Sequence, residues 1–226
     1  MQDFRIYSID DYAITVAFSE KIHEGDNARV LALRNAIEQN PFKGLLDCVP
    51  AYSSLAIYFK PECNREEVIN YLKEKILSST EFQKAHSPNK IIEIPVCYDP
   101  SLGFDQNFVC NHLHITREQL IEQHTSHIFK VFMIGFIPGF PYMGILPEGW
   151  QIPRKQTPSL KIPAGSVALA GQQTGIYPAE VPGGWQVIGR TSLKIFDYTR
   201  DPSFLLKAGD QVKFNPISLT EFNSFT

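Results

Sequence analysis

The sequence IPAGSVALAGQQTGIYP, residues 162–178, is the part of the chain that indicates its architecture most clearly. It contains a short apolar run, Ser166 to Ala170, between glycine- and proline-rich turns, which is typical of a short β-strand. The surrounding residues 135–189 contain most of the chain's 14 glycines and half of its 16 prolines. Because helices do not tolerate that density, the pattern predicts short strands joined by tight turns in a β-barrel or β-sandwich.

The residues on either side of this region predict a few further elements. Thr116, followed three residues later by Gln119, forms a capping box that predicts the start of a helix. Residues 193–196 are expected to form a strand, and residues 205–214 a hairpin that turns at Gly209. The run Ile91 to Val96 is expected to open the second domain.

The first third of the chain predicts the order strand, helix, strand, strand, helix. Alternation of apolar and polar residues indicates the strands, and a stripe of apolar residues after a capping Asp26 indicates the first helix. This order is most of a ferredoxin-like unit, whose last strand would be residues 91–96 or a neighbour. We therefore predict an α+β protein with a ferredoxin-like domain over residues 1–86 and a β-barrel domain over residues 87–226. The elements are expected at Tyr12 to Phe18, Asp26 to Ile37, Leu45 to Cys48, Leu55 to Phe59 and Asn64 to Ile76.

Composition and charge exclude several classes of protein. The 226 residues are 43% hydrophobic and 20% charged with a net charge of -3, which argues against a nucleic-acid partner. The four cysteines are far apart and do not have zinc-ligand spacing, so we expect no metal site and reduced thiols in a cytoplasmic protein. We expect no signal peptide. Residues 131–147 are too short and too interrupted by proline to cross a membrane.

Five motifs in the second half of the chain are unusually specific: GFIPGFPYMG at 135–144, PRKQTP at 153–158, IPAGSVALAGQQTGIYP at 162–178, VPGGWQVIGRT at 181–191 and LKAGDQVKF at 206–214. Together they resemble the KipI family, also called allophanate hydrolase subunit 1 or the B-type subunit of 5-oxoprolinase. The resemblance extends weakly into the first domain through DCVPAYSSL at residues 47–55. It implies a small α/β domain followed by a cyclophilin-like barrel, similar to one part of the carboxyltransferase domain of urea carboxylase.

The resemblance implies one component of an ATP-dependent hydrolase, inactive when alone. With a C-type and an A-type subunit it would open the lactam 5-oxoproline to L-glutamate, with ATP at an interface between subunits and Mg²⁺ accompanying the ATP. The chain has no GxxxxGK[ST] loop, so a nucleotide site would be shared with a partner. The alternative is a KipI-like inhibitor that docks on a sensor histidine kinase through the proline-rich surface at residues 137–141. Prolyl isomerisation would rest on fold analogy alone and is discounted.

Two residues are predicted to be catalytic. His124 aligns with a histidine of the family, and an imidazole can act as a general acid or base near neutral pH. A histidine buried in the core or capping a helix is the alternative. Arg154 follows the rigid Pro153 and is predicted to hold an anion, as is Arg190 after Gly189. Pairing with a nearby carboxylate, or simple surface exposure, is the alternative for both arginines.

The remaining candidates are predicted to bind substrate. Tyr142, Tyr177 and Trp185 lie beside glycine and proline turns, where an aromatic ring can line a pocket. Core packing is the alternative for these rings and is favoured for Trp185. Gln173 is expected to donate amide hydrogen bonds to a substrate, and an exposed turn explains it equally well. Lys161 is expected to supply a point charge, because this chain has Ser159 where the family commonly has an arginine. His112 and His114 are interpreted as surface histidines.

Overall fold

The structure is a computed structural model that describes residues 4–78 and 91–225. The chain divides into two compact units, residues 1–88 and 89–226. The predicted boundary between residues 86 and 87 lies outside the described residues. No helix in the described part of the chain is both long and apolar enough to span a membrane.

The N-terminal unit is a four-stranded antiparallel sheet with two helices, and its strand order is β1-β2-β4-β3. The predicted apolar stripe of α1 is confirmed, because Val30, Leu33 and Ile37 are fully buried. The predicted helix start is wrong: His23 is the cap, accepting a hydrogen bond from the Gly25 N–H, and Asp26 lies in the first turn. The elements are β1 (Arg5–Asp10), β2 (Ala13–Ala17), α1 (Glu24–Gln39), β3 (Leu45–Pro50), β4 (Ser54–Phe59) and α2 (Arg65–Ser78).

The ferredoxin-like order is not confirmed, because the described elements run ββαββα. The edge position beside β2 is occupied by β1, which pairs with β2 in an antiparallel hairpin from Arg5↔Ala17 to Asp10↔Ala13. The strand expected there, Ile91 to Val96, belongs to the second unit instead. A short turn lets β1 pair locally with β2, and alternation of side chains does not reveal which neighbour a strand will choose.

The second unit is built around a closed barrel of seven strands in the order β10-β7-β6-β13-β5-β12-β9. All neighbours are antiparallel except β5 and β13, which pair in parallel from Ile91↔Gln211 to Cys97↔Ile217. The barrel strands are β5 (Ile91–Cys97), β6 (Ile128–Gly135), β7 (Phe140–Gly144), β9 (Ser166–Ala170), β10 (Gln173–Ile176), β12 (Gln186–Arg190) and β13 (Gln211–Ile217). The remaining elements are α3 (Gln106–Leu113), α4 (Arg117–Ser126), β8 (Ser159–Ile162), β11 (Val181–Gly183) and α5 (Leu219–Ser224).

Alternation along the strands gives the barrel wall an inner and an outer face. All seven strands contribute side chains to one buried cluster, which only the barrel interior allows. On β7 the side chain of Met143 joins this interior, whereas Tyr142 joins a separate cluster on the outer face, beside the two-stranded ribbon of β8 and β11. The interior members from the strands are Ile94, Val96, Phe129, Val131, Met143, Val167, Leu169, Ile176, Ile188, Val212 and Phe214.

Several local predictions in this unit have clear outcomes. The strand at residues 166–170 and the Thr116–Gln119 capping box are confirmed. The hairpin predicted for residues 205–214 is wrong, because β13 begins only at Gln211 and pairs with β5 and β6. Residues 193–196 form a single bridge, Phe196↔Phe204, rather than a strand. In both cases a distant strand or a short bridge satisfies the backbone groups that a local partner was expected to satisfy.

Candidate functional site

The outer face of the barrel carries a cluster of four rings, Phe140, Tyr142, Tyr177 and Trp185, here called the outer aromatic cluster. The Phe140 ring lies edge-on to the other three, with centroid distances of 4.9, 5.1 and 5.4 Å to Tyr142, Tyr177 and Trp185. Gly175 makes this packing possible, because a Cβ there would lie 2.7 Å from the Phe140 ring. Tyr142 on β7 is half-buried, whereas Tyr177, after β10, and Trp185, before β12, are only 1% and 5% exposed. For Tyr177 and Trp185 the structure therefore agrees with the core-packing alternative.

Arg154 is an exposed cation in this region. Its side chain is exposed, and within residues 4–78 and 91–225 no carboxylate lies within 4 Å of it. Burial raises the pKa of both Tyr142 and Tyr177, and the positive charge of Arg154 opposes that rise at each hydroxyl. The guanidinium thus lies within electrostatic range of both tyrosines and keeps its hydrogen-bond donors available for an anion.

An ion pair that the sequence did not predict lies next to Arg154. The Lys155 ammonium is 2.7 Å from the Asp105 carboxylate, and the two side chains are only 15% and 16% exposed. Asp105 lies directly before α3, some fifty positions from Lys155 in the sequence. Spacing alone therefore gave no signal, although Lys155 stands inside the PRKQTP motif.

Gln173 lies on the same outer face of the wall. It pairs in register with Gly144 on β7 and Ala170 on β9, and its neighbour Thr174 points to the interior. Gln173 is 9% exposed, and its Nε2 has no hydrogen-bond partner among the described residues. A buried amide nitrogen without a partner is costly, which makes this side chain a candidate donor to a ligand carbonyl or carboxylate.

His124 lies on the other side of the wall from these residues. It projects from α4 into the interior, where it is 0% exposed and stacks on Phe214 at 4.6 Å between ring centroids. Its Nδ1 and Nε2 lie 2.8 and 3.0 Å from the hydroxyl oxygens of Tyr98 and Thr174. Burial, with a smaller contribution from His127, lowers the pKa of His124 to about 3. The imidazole is neutral, hydrogen-bonded at both nitrogens and shielded from solvent. His124 is therefore a buried core histidine, which is the alternative interpretation, and it does not lie at the Arg154 site.

The two remaining predicted cations each have a partner within the chain. Lys161 forms an exposed ion pair with Glu180 at 3.3 Å across the ribbon of β8 and β11. The half-buried Arg190 donates from Nε to the Ala164 carbonyl at 2.8 Å. Both cations thus already have a partner within the chain, a carboxylate for Lys161 and a backbone carbonyl for Arg190.

The turn between β6 and β7 contains an unusual backbone conformation. Phe136 has φ of 62° and is 61% exposed, and the Ile137 N–H donates to the Gly135 carbonyl at 2.7 Å. This is a γ-turn of the strained, positive-φ kind. The ring of Phe136 lies 5.8 Å from Phe140, so the strained residue adjoins the outer aromatic cluster.

The surface proposed for kinase docking, residues 137–141, is mostly not a surface. Gly139, Phe140 and Pro141 are buried, Ile137 is half-buried, and only Pro138 of the five is exposed. The second half of this stretch is the start of β7, whose side chains pack on the barrel wall. Docking on a histidine kinase stays a prediction without a defined contact face.

The comparisons with known proteins place the chain in a family. Residues 4–206 match the family model of the carboxyltransferase domain, subdomains C and D. The chain is 37% identical over 235 aligned positions to the B-type subunit of 5-oxoprolinase from Bacillus subtilis, covering 98% of this chain and 96% of that protein. The chain belongs to the family of 5-oxoprolinase B-type subunits. The Escherichia coli O157:H7 protein of the same description is 36% identical and covers 96% of this chain, which spans 97% of that protein.

A solved structure shares the fold of this family member. The crystal structure of TTHA0988 matches 91% of this chain with a TM-score of 0.79 and 35% identity. The matched part makes up only 40% of the TTHA0988 chain. A protein of this family can therefore be one segment of a longer polypeptide.

Proposed function

We propose that this chain is the B-type subunit of an ATP-dependent 5-oxoprolinase, which opens 5-oxoproline to L-glutamate with an A-type and a C-type subunit in the cytoplasm. The observation that carries the proposal is the match over nearly the full length of two proteins named as B-type subunits of 5-oxoprolinase. The match covers only 40% of the TTHA0988 polypeptide, which supports the view that this chain works together with further domains or subunits. The chain alone is expected to be inactive.

The outer face of the barrel fits one part of this chemistry, which is holding a small anionic ring. Arg154 would hold the carboxylate of 5-oxoproline, since a guanidinium matches a carboxylate with two parallel hydrogen bonds. Tyr142, which is half-buried, would contact the ring. Tyr177 is 1% exposed and would only support Tyr142 through Phe140. The unpaired Nε2 of Gln173 would donate to the lactam oxygen. These roles combine the free donors of Arg154 and Gln173 with the nearby rings.

ATP would activate the lactam by phosphoryl transfer. The amide oxygen bonds to the γ-phosphorus while the bond from that phosphorus to ADP breaks, which turns a poor leaving group into a good one. The site offers an exposed guanidinium for an anion, but the described residues contain no group of three or more His, Cys, Asp or Glu side chains arranged to hold a metal. We therefore assign no ligand in this chain to the Mg²⁺ expected with ATP.

The test is 5-oxoproline-dependent release of phosphate from ATP by the reconstituted set of A-type, B-type and C-type subunits. We expect release from the complete set and none when this chain is omitted, and Arg154→Ala should raise the KM for 5-oxoproline about tenfold to a hundredfold. Lys194→Gln, which removes an exposed lysine paired with Asp197 at 3.7 Å, is the matched control. Undiminished release without this chain would sink the proposal.

A further inference from the structure

The backbone on both sides of Arg154 is fixed, although the Arg154 side chain itself is exposed. The Pro153 carbonyl accepts a hydrogen bond from Gln186 Nε2 at 3.0 Å. The Lys155 N–H donates to the Gly184 carbonyl at 2.7 Å. These bonds attach the residues flanking Arg154 to the segment that leads into β12, so the Cα of Arg154 has little freedom.

The Lys155 side chain adds a second attachment. Its ammonium lies 2.7 Å from Asp105 Oδ2 and donates to Ser159 Oγ at 2.9 Å, and it lies 5.0 Å from the ring centroid of Phe104. The ion pair is largely buried, and loss of one partner would leave the other charge buried without compensation. The segment from residue 153 to residue 159 is therefore tied to the start of α3.

The Asp105 side chain pairs with Lys155 instead of capping helix α3. It occupies the N-cap position of α3, where an aspartate normally accepts hydrogen bonds from the backbone of the first helical turn. Here its side chain makes no capping bond. Oδ2 instead accepts from the Val187 N–H at 2.7 Å and pairs with Lys155. Stability of α3 is thus given up for a link between the Arg154 segment and β12.

We propose that the Asp105–Lys155 ion pair is a positioning device for Arg154, which fixes the segment that carries the guanidinium so that it can receive a carboxylate. The inference rests on the proposed function for the identity of the ligand, but not for the fixing of the segment. Asp105 and Lys155 are positioning residues, since neither charge is free to bind an anion itself. Their effect should pass through Arg154 alone.

The first arm of the test measures the segment directly. In Asp105→Asn, amide hydrogen exchange of residues 153–159 should accelerate about tenfold, while exchange in β9 stays as in the unchanged protein. Lys194→Gln, which leaves the Asp105–Lys155 ion pair intact, should show no acceleration of exchange at residues 153–159. Unchanged exchange at residues 153–159 in Asp105→Asn would overturn the proposal, whether or not the complex is active.

The second arm is a double-mutant cycle on the reconstituted complex. Asp105→Asn and Arg154→Ala should each raise the KM for 5-oxoproline by about tenfold or more with kcat changed much less, and the double variant should resemble Arg154→Ala alone. A purely structural ion pair would instead add its effect to that of Arg154→Ala, and additive effects overturn the positioning role. If the complex with the unchanged chain shows no 5-oxoproline-dependent phosphate release, the proposed function and the assigned ligand are both wrong. The hydrogen-exchange measurement still tests the fixing of residues 153–159 independently.

Discussion

The interior and the outer face of the barrel differ in whether their polar side chains His124, Arg154 and Gln173 have partners within the described part of the protein. In the interior, both nitrogens of His124 meet hydroxyl groups and the ring is sealed by aromatic neighbours. On the outer face, Arg154 is exposed without an ion pair in the described residues, and Gln173 keeps an unpaired amide nitrogen. Satisfied polar groups mainly stabilise a fold, whereas unsatisfied ones are the groups that a ligand can complete.

The largest effect on stability is expected from the interior. His124→Leu leaves the buried hydroxyls of Tyr98 and Thr174 without their partner, so the free energy of unfolding should fall by about 3 kcal/mol. Urea denaturation at pH 7.5 measures it, with the exposed His112→Gln as the control. A loss below about 1 kcal/mol would contradict the view that these hydrogen bonds stabilise the barrel.

Acid should weaken the same interior. The pKa of His124 is lowered from 6.5 to about 3 in the folded protein, so the unfolded chain takes up its proton first as the pH falls. The stabilisation is complete above pH 6.5 and is lost progressively down to about pH 3. Between pH 7.5 and pH 5 this residue should cost about 2 kcal/mol of unfolding free energy. His124→Gln should flatten that part of the pH profile, and an unchanged slope would refute the assignment.

A smaller effect of opposite sign is expected at Phe136 on the outer face. Phe136→Gly relieves the positive φ but adds freedom to the unfolded chain, so the free energy of unfolding should rise by about 0.5 kcal/mol. Phe136→Ala, which keeps a Cβ at the strained position, should show no gain. Thermal unfolding of the two variants side by side gives the answer, and equal behaviour would mean that the turn is not strained.

The smallest effect on stability is expected at Arg154. Arg154→Ala removes an exposed side chain without an ion pair in the described residues, so the free energy of unfolding should change by less than about 0.5 kcal/mol even though substrate affinity falls. Chemical denaturation and KM measured on the same preparation provide the comparison. A large loss of stability would remove the distinction between the two faces of the barrel.

Sequence reasoning reached those features of the fold that depend on local pattern. The buried stripe of α1, the capping box at Thr116 and the strand at residues 166–170 follow from spacing within a few residues. The partner of a strand depends on distant chain, which is why Ile91 to Val96 was also considered for the wrong sheet. The ion pair between Asp105 and Lys155 was missed for the same reason.

The candidate site shows the same limit. Tyr142, Tyr177 and Arg154 were predicted from rigid neighbours, and the structure places the two tyrosines in one cluster, where Tyr177 is 1% exposed and packs as a core residue. His124 was predicted from its chemistry and its place in a family motif. Alternation along β10 points the Thr174 side chain into the barrel interior, where its hydroxyl is hydrogen-bonded to His124. Residue type predicts what a side chain can do, and only the three-dimensional surroundings decide whether it has unpaired donors left.

The parallel pairing of β5 with β13 joins the first and the last strand of the barrel unit. A ribosome must therefore release residue 217 before the wall can close, so a nascent chain carries two open sheet edges for most of its synthesis. A chain cut before Gln211 would keep those edges permanently and would be prone to pair with other chains.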